Sequence, residues 1–225
     1  MKHIFSLALL VAAVILVNPV SAEEGWTSLF NGESLDGWSV KSGYATYEVE
    51  DGGVIVGKTA EGTKNTFLCT DDEYGDFELT FEVKCDEGLN SGVQIRSKFK
   101  SEKFADDYGG RVYGPQVEIE TGPGQAGWIY AEATGRGWLS PEPQSKDKSV
   151  NQHDHFKTGE WNKYRIVAKG ATIQTFINGQ QIADLTDEKI YETHPKGVIG
   201  LQVHGIRSGA GPFEVRWRNL KLKSL

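Results

Sequence analysis

The chain has 225 residues, 24 Lys plus Arg against 31 Asp plus Glu, and a formal net charge of -7. That acidic balance speaks against nucleic-acid binding, which needs a positive field. Six Trp, eight Tyr and ten Phe favour strands and suit surfaces that stack on sugars.

In chain order, the basic start Met1-Lys2-His3 leads into an apolar run, residues 4–17, interrupted only by Ser6. Asn18-Pro19 breaks the run, and Val20-Ser21-Ala22 supplies small residues before Glu23. The pattern predicts a secretory signal peptide over 1–22 and an exported mature chain, 23–225, periplasmic or secreted. The run is too short for a membrane span, which needs roughly 20 apolar residues. Loss of Lys2 with the leader takes the formal charge from -7 to -8.

Beyond the leader no segment shows helical periodicity. Short alternating runs punctuated by Gly, Asn and Asp recur instead, which is the all-β signature. Strands are expected at 44–49 and 54–56, joined through Asp51-Gly52-Gly53, and at 66–70. Residues 76–84 (DFELTFEVK) alternate cleanly, with Phe77, Leu79, Phe81 and Val83 inward. A strand at 92–97 follows, then a polar loop at 99–111 and a strand at 112–121. Residues 122–160 are irregular, with a short strand expected at 128–132. Strands return at 161–169, at 172–177 and 180–185 around the hairpin signal Asn178-Gly179, at 197–204 and at 213–222. A phase slip at Arg218-Asn219 predicts a bulge. With no linker and no internal repeat, the expectation is one antiparallel two-sheet sandwich. Cys69 and Cys85 each end an apolar run; a cross-strand disulfide and two buried thiols both fit.

Three of these strands carry a polar face. On 112–121, Gln116, Glu118 and Glu120 point one way while Val117 and Ile119 point the other. Gln94 and Arg96 alternate with Val93 and Ile95, and Gln202 and His204 with Leu201 and Val203. If the three strands are neighbours, one polar wall faces a single space. A structural salt bridge of Arg96 with Glu118 or Glu120 is the plainer use of the same residues. His153 and His155, flanking Asp154, are a further pair that could bind a metal.

The motifs 29–38 (LFNGESLDGW), 74–79 (YGDFEL), 90–96 (NSGVQIR), 116–120 (QVEIE), 159–162 (GEWN), 177–179 (ING), 199–205 (IGLQVHG) and 217–220 (WRNL) together resemble the 3-keto-disaccharide hydrolase family. The resemblance covers nearly all of the mature chain. It implies a concanavalin A-like jelly roll and hydrolysis of glycosides already oxidised at the sugar C3. Val203 stands where family members often carry an acidic residue.

The 3-keto group that the resemblance implies acidifies the neighbouring C2 proton. Removing that proton gives an enolate that expels the glycosidic oxygen from C1; adding water completes a net hydrolysis. The route needs a base, donors for the enolate oxygen and an acid for the leaving group. Glu118, Glu120 and His204 are the acid/base candidates, with Glu118 first because it sits between two same-face neighbours. Arg96 is the enolate partner; Gln94, Gln116 and Gln202 bind sugar oxygens, and Trp138 and Tyr130 (or Trp128) stack on the ring. A divalent cation among Glu118, Glu120 and His204 is an alternative use of that cluster. The competing functions are a conventional glycoside hydrolase with Glu118 and Glu120 as its carboxylate pair, and a non-catalytic carbohydrate-binding module.

Overall fold

A computed structural model of the chain describes residues 24–100, 110–140 and 153–225. The expected signal peptide, 1–22, lies outside these residues, as does the greater part of the expected loop at 99–111.

Two antiparallel sheets account for just over half of the described residues. The first is eight-stranded, in the order β13 (Gln180–Thr186), β12 (Thr172–Ile177), β11 (Asn162–Lys169), β6 (Phe77–Cys85), β15 (Glu214–Ser224), β4 (Val54–Lys58) and β3 (Thr46–Glu50), with β1 (Trp26–Ser28) pairing beside β15. The second has seven strands: β10 (Gly137–Ser140), β9 (Ile129–Glu132), β8 (Arg111–Glu120), β7 (Asn90–Lys100), β14 (Val198–Val203), β5 (Thr66–Thr70) and β2 (Trp38–Lys41). This is the expected all-β, jelly-roll-type sandwich.

Alternation explains why the strands form as they do. Along β6 every odd-numbered residue is buried and every even-numbered one partly exposed, so one face packs inward and the other stays wet. The core between the sheets joins Phe81, Val83, Ile166 and Trp217 of the first sheet to Val93, Ile95, Val117 and Ile119 of the second. Burying each such side chain contributes about 1.5–3 kcal/mol. Two tyrosines of the first sheet also tie down the second. The Tyr47 hydroxyl bonds the carbonyl of Leu201 at 2.8 Å, and the Tyr164 hydroxyl that of Glu118 at 3.2 Å.

Turn chemistry matches expectation at Asn178-Gly179, where both residues take positive φ, 50° and 85°, as a two-residue hairpin of matching twist requires. The bulge in β15 falls between Arg218 and Lys221, with Asn219 at φ 55°.

Several local expectations need correcting. A helix, α1 (Glu188–Thr193), follows β13, capped by Asp187, whose carboxylate accepts the Ile190 amide at 2.9 Å. Six residues are too few for a helical period to show in a sequence. The ladder between β7 and β8 also reaches Lys100 and Arg111, so both ends of the expected loop are strand. Cys69 and Cys85 are both free and buried, and burial pushes each thiol up to about 12.

Candidate active site

The three polar segments are neighbours: β7 pairs with β8 on one side and β14 on the other. Register then sets the contacts. Gln94 lies opposite Gln116, and Gly92 lies opposite both Glu118 and Gln202. Because Val93, Val117, Ile119, Leu201 and Val203 take the core face, the amides and Glu118 are left on the opposite one.

These side chains bond to one another in series. Gln94 Nε2 donates to Gln116 Oε1 at 2.6 Å, and Gln202 Nε2 donates to the same oxygen at 3.0 Å. Gln116 Nε2 donates to Glu118 Oε1 at 2.6 Å, and Asn90 Nδ2 to Glu118 Oε2 at 3.1 Å. Gly92 makes room for this series: a Cβ there would stand 2.7 Å from Gln116 Cδ.

Above the series opens a cleft of about 710 Å³. Gln116, Glu118, Gln202, His204, Tyr130 and Trp138 line it, together with Asn65, Asn90, Arg111, Gln125, Glu132 and Arg136. Trp138 stands edge-on to Tyr130 and Trp128, with ring centres 5.1 and 5.6 Å away. Arg136 forks onto both Asp187 oxygens at 2.9 and 2.7 Å, which ties the β9–β10 turn to the start of α1.

The electrostatics of the cleft centre on two carboxylates. Glu118 is 4% exposed. Burial carries its carboxyl up to about 7, against the pull of the Gln116 and Asn90 hydrogen bonds; the charges of Glu120 and Glu132 push the same way as burial. A carboxyl at that value exchanges its proton near neutrality, which suits a base. Burial also raises Glu132, opposed by Arg111, His204 and a hydrogen bond from Asn65. Arg111 Nη2 donates to Glu132 Oε1 at 2.6 Å. His204 Nδ1 lies 2.7 Å from the Gly205 carbonyl oxygen. That oxygen only accepts, so Nδ1 carries the hydrogen and Nε2 is the nitrogen left for a ligand.

Not every expected residue reaches the cleft. Arg96 is turned away from it, 2% exposed. Its guanidinium donates to the carbonyls of Gly75 and Gly170, both at 2.7 Å, and to Asp76 Oδ1 at 2.8 Å. The cause is a bulge between Gln94 and Lys98, with Arg96 at φ 49°, which breaks the alternation that linked Arg96 to Gln94. Arg96 is a clamp on two loops, and the guanidinium groups that line the cleft are those of Arg111 and Arg136. The ion pair of Arg96 is to Asp76, not to Glu118 or Glu120. Glu120 does not line the cleft; it lies next along the strand and acts on Glu118 through its charge. Gln94 is fully buried behind Gln116 and does not line the cleft either.

The His153 and His155 rings stack with centres 5.3 Å apart, and His153 Nε2 lies 2.8 Å from the Ala126 carbonyl oxygen. Among the described residues no group of three or more His, Cys, Asp or Glu side chains could hold a metal ion.

Asn65, Asn90, Arg111, Gln125, Glu132 and Arg136 were not singled out from sequence. Two carried a usable signal. Asn90 precedes Gly92 and Gln94 at period two, and Glu132 follows Tyr130 at period two, so each shares a face with a residue that was chosen. Asn65, Arg111 and Gln125 carry no such signal, and Arg136, two residues before Trp138, lies where no strand was expected.

The family's sequence profile, described as a 3-keto-alpha-glucoside-1,2-lyase-like domain, matches residues 25–223. The chain belongs to that family. The 3-keto-alpha-glucoside-1,2-lyase-like match spans both sheets and every residue of the cleft. No curated protein matches the chain. Among solved structures, two proteins classed as glycosyl hydrolases from Parabacteroides distasonis are similar. One has TM-score 0.59 at 22% identity over 90% of this chain and 94% of its own; the other has 0.57 at 21% over 89% and 99%. A carbohydrate binding module from Bacillus subtilis has TM-score 0.53 at 13% identity over 89% and 96%. At these identities the likeness is one of fold.

Proposed function

We propose that the chain is an exported enzyme that cleaves 3-keto-glycosides, 3-keto-disaccharides among them, by elimination and hydration. The observation that carries this reading is Glu118, a buried carboxyl with both oxygens held by amide N–H groups and a proton affinity near neutral pH. Glu118 takes the C2 proton, and the electron pair passes to the C3 oxygen as an enolate. Arg111 has guanidinium N–H groups beyond the one given to Glu132 and meets the developing charge. When the carbonyl re-forms, the C1–O bond breaks, a C1–C2 double bond forms, and His204 Nε2 gives the leaving oxygen its proton. Glu132 holds that imidazole by charge. Water then adds at C1, passing a proton to His204 Nε2, and Glu118, whose proton has exchanged with solvent, protonates C2. One water is consumed, releasing the 3-keto sugar and the aglycone. Trp138 and Tyr130 offer the apolar faces of the sugar a wall, and Gln125 and Arg136 on the cleft lining take its hydroxyls.

The same aromatic wall favours a second reading, a carbohydrate-binding module without turnover. A conventional glycosidase would use Glu118 with Glu132, since Glu120 is outside the cleft.

One comparison separates the three. A disaccharide and its 3-keto form are incubated with the protein in deuterated water. Cleavage of the 3-keto form alone, with deuterium entering at C2, is the expected result. Cleavage of only the unoxidised sugar refutes the proposal in favour of a conventional hydrolase. Saturable binding without turnover of either selects the module.

A further inference from the structure

The amides behind the cleft have a fixed polarity. An ionised carboxylate only accepts hydrogen bonds, so Glu118 requires Gln116 to present its Nε2 and turn its Oε1 away. There Oε1 meets two N–H donors, from Gln94 and Gln202. Gln94 is held in turn because its own Oε1 accepts the Ser97 hydroxyl at 2.6 Å. Gln94, Gln116 and Gln202 are 0%, 2% and 1% exposed, so bulk water cannot replace any of these partners. Rotating the Gln116 amide by half a turn would set oxygen against the Glu118 carboxylate and nitrogen against two donors.

We propose that Gln94, which does not touch the cleft, is a positioning residue: by locking the Gln116 amide it keeps an N–H on Glu118 and sets the pH at which Glu118 becomes a base. The catalytic consequence rests on Glu118 being the base of the proposed function; the effect on Glu118 itself does not. The other groups facing Glu118 act in known directions. Glu120 on β8 and Glu132 on β9 both raise it. Arg111 and His204 line the same cleft and pull Glu132 down. From the opposite sheet, Tyr164 bonds only the Glu118 main-chain carbonyl. From β7 and β14 come the neutral Asn90 and Gln202. Gln94 therefore works against burial and two carboxylates, through one intermediary.

The test is a double-mutant cycle read on Glu118 itself. Its side-chain carboxyl is titrated by 13C NMR in the full chain, the resonance assigned by its loss in Glu118→Gln. Gln116→Met removes the N–H on Glu118 and is expected to raise the midpoint by about one pH unit or more. Gln94→Met, which leaves Gln116 in place, is expected to raise it by roughly half a unit. The double variant should match Gln116→Met alone, because Gln94 acts through Gln116. Ser97→Ala, which frees the Gln94 amide, should shift the midpoint the same way and serves if Gln94→Met does not fold. A midpoint unmoved in Gln94→Met, or in Ser97→Ala where that variant stands in, overturns the proposal, as do strictly additive shifts in the double variant. A purely structural role for Gln94 would lower the melting temperature and leave the midpoint alone. Because the readout is a titration, the proposal stands or falls separately from turnover; if 3-keto-glycosides are cleaved, the acidic limb of kcat/KM should move with the midpoint.

Discussion

Glu118 should leave a measurable mark on folding. Its carboxyl rises from 4.5 to about 7 on folding, chiefly because burial disfavours the charged form. A carboxyl raised by folding binds its proton more tightly in the native state between those two values. Its contribution to stability is thus fully present below pH 4.5 and lost as pH climbs through 7. At 1.36 kcal/mol per tenfold change in proton affinity, the loss between pH 4.5 and 8 amounts to roughly 3 kcal/mol. Glu118→Gln has no such proton. Its amide sets one N–H against the Asn90 or Gln116 donor, a cost of about 1–3 kcal/mol that does not vary with pH. The comparison is therefore made between pH values. Urea unfolding of both proteins at pH 4.5, 6, 7 and 8 gives the stability of Glu118→Gln minus wild type. That difference should grow in favour of the variant by roughly 3 kcal/mol over the range, most steeply between pH 5 and 7. A flat difference, or one that falls with pH, would refute the assignment of a raised carboxyl at residue 118.

Gly92→Ala puts a Cβ 2.7 Å from Gln116 Cδ; it should cost about 1–3 kcal/mol in chemical unfolding and reduce 3-keto-glycoside turnover by displacing Gln116. Arg96→Met should destabilise the fold by roughly 3–5 kcal/mol because the Asp76 pairing and two carbonyl bonds are lost, while kcat of the folded fraction stays at the wild-type value; a selective loss of kcat would return Arg96 to the reaction. Tyr164→Phe keeps the core ring but drops its bond to the Glu118 carbonyl, an expected cost of about 1 kcal/mol in the same assay. Cys69 and Cys85, with thiols pushed up to about 12 by burial, should resist a disulfide-exchange reagent until urea unfolds the chain; fast labelling of the native protein would contradict that burial.

Much of the site was legible because strand side chains repeat every two residues. Glu118, Gln116 and Gln202 each alternate with a core residue, and a strand with one buried face cannot slip register without exposing that face. His204, Tyr130 and Trp138 reach the cleft as expected. Arg96 shows where the rule fails: a single positive φ inside β7 sends its side chain to two loops, and alternation by itself does not encode that bulge. Glu132 and Arg111 come from strand ends whose partners are set by which strand lies beside β8.

Sequence alone therefore determined the class of the fold, the inward and outward face of each regular strand, and the Glu118-bearing wall as a surplus of polar residues on three strands. Those are properties of local alternation and turn residues, and they need no knowledge of neighbours. Only the tertiary structure decided strand order, and with it everything that depends on two segments meeting. It set Gln94 against Gln116, put Asn90 and Gln116 on the two oxygens of Glu118, brought Arg111 to Glu132, and buried Glu118 deeply enough to raise its proton affinity. Desolvation and hydrogen-bond polarity are sums over neighbours distant in sequence, so they take values only once the sheet has closed around them.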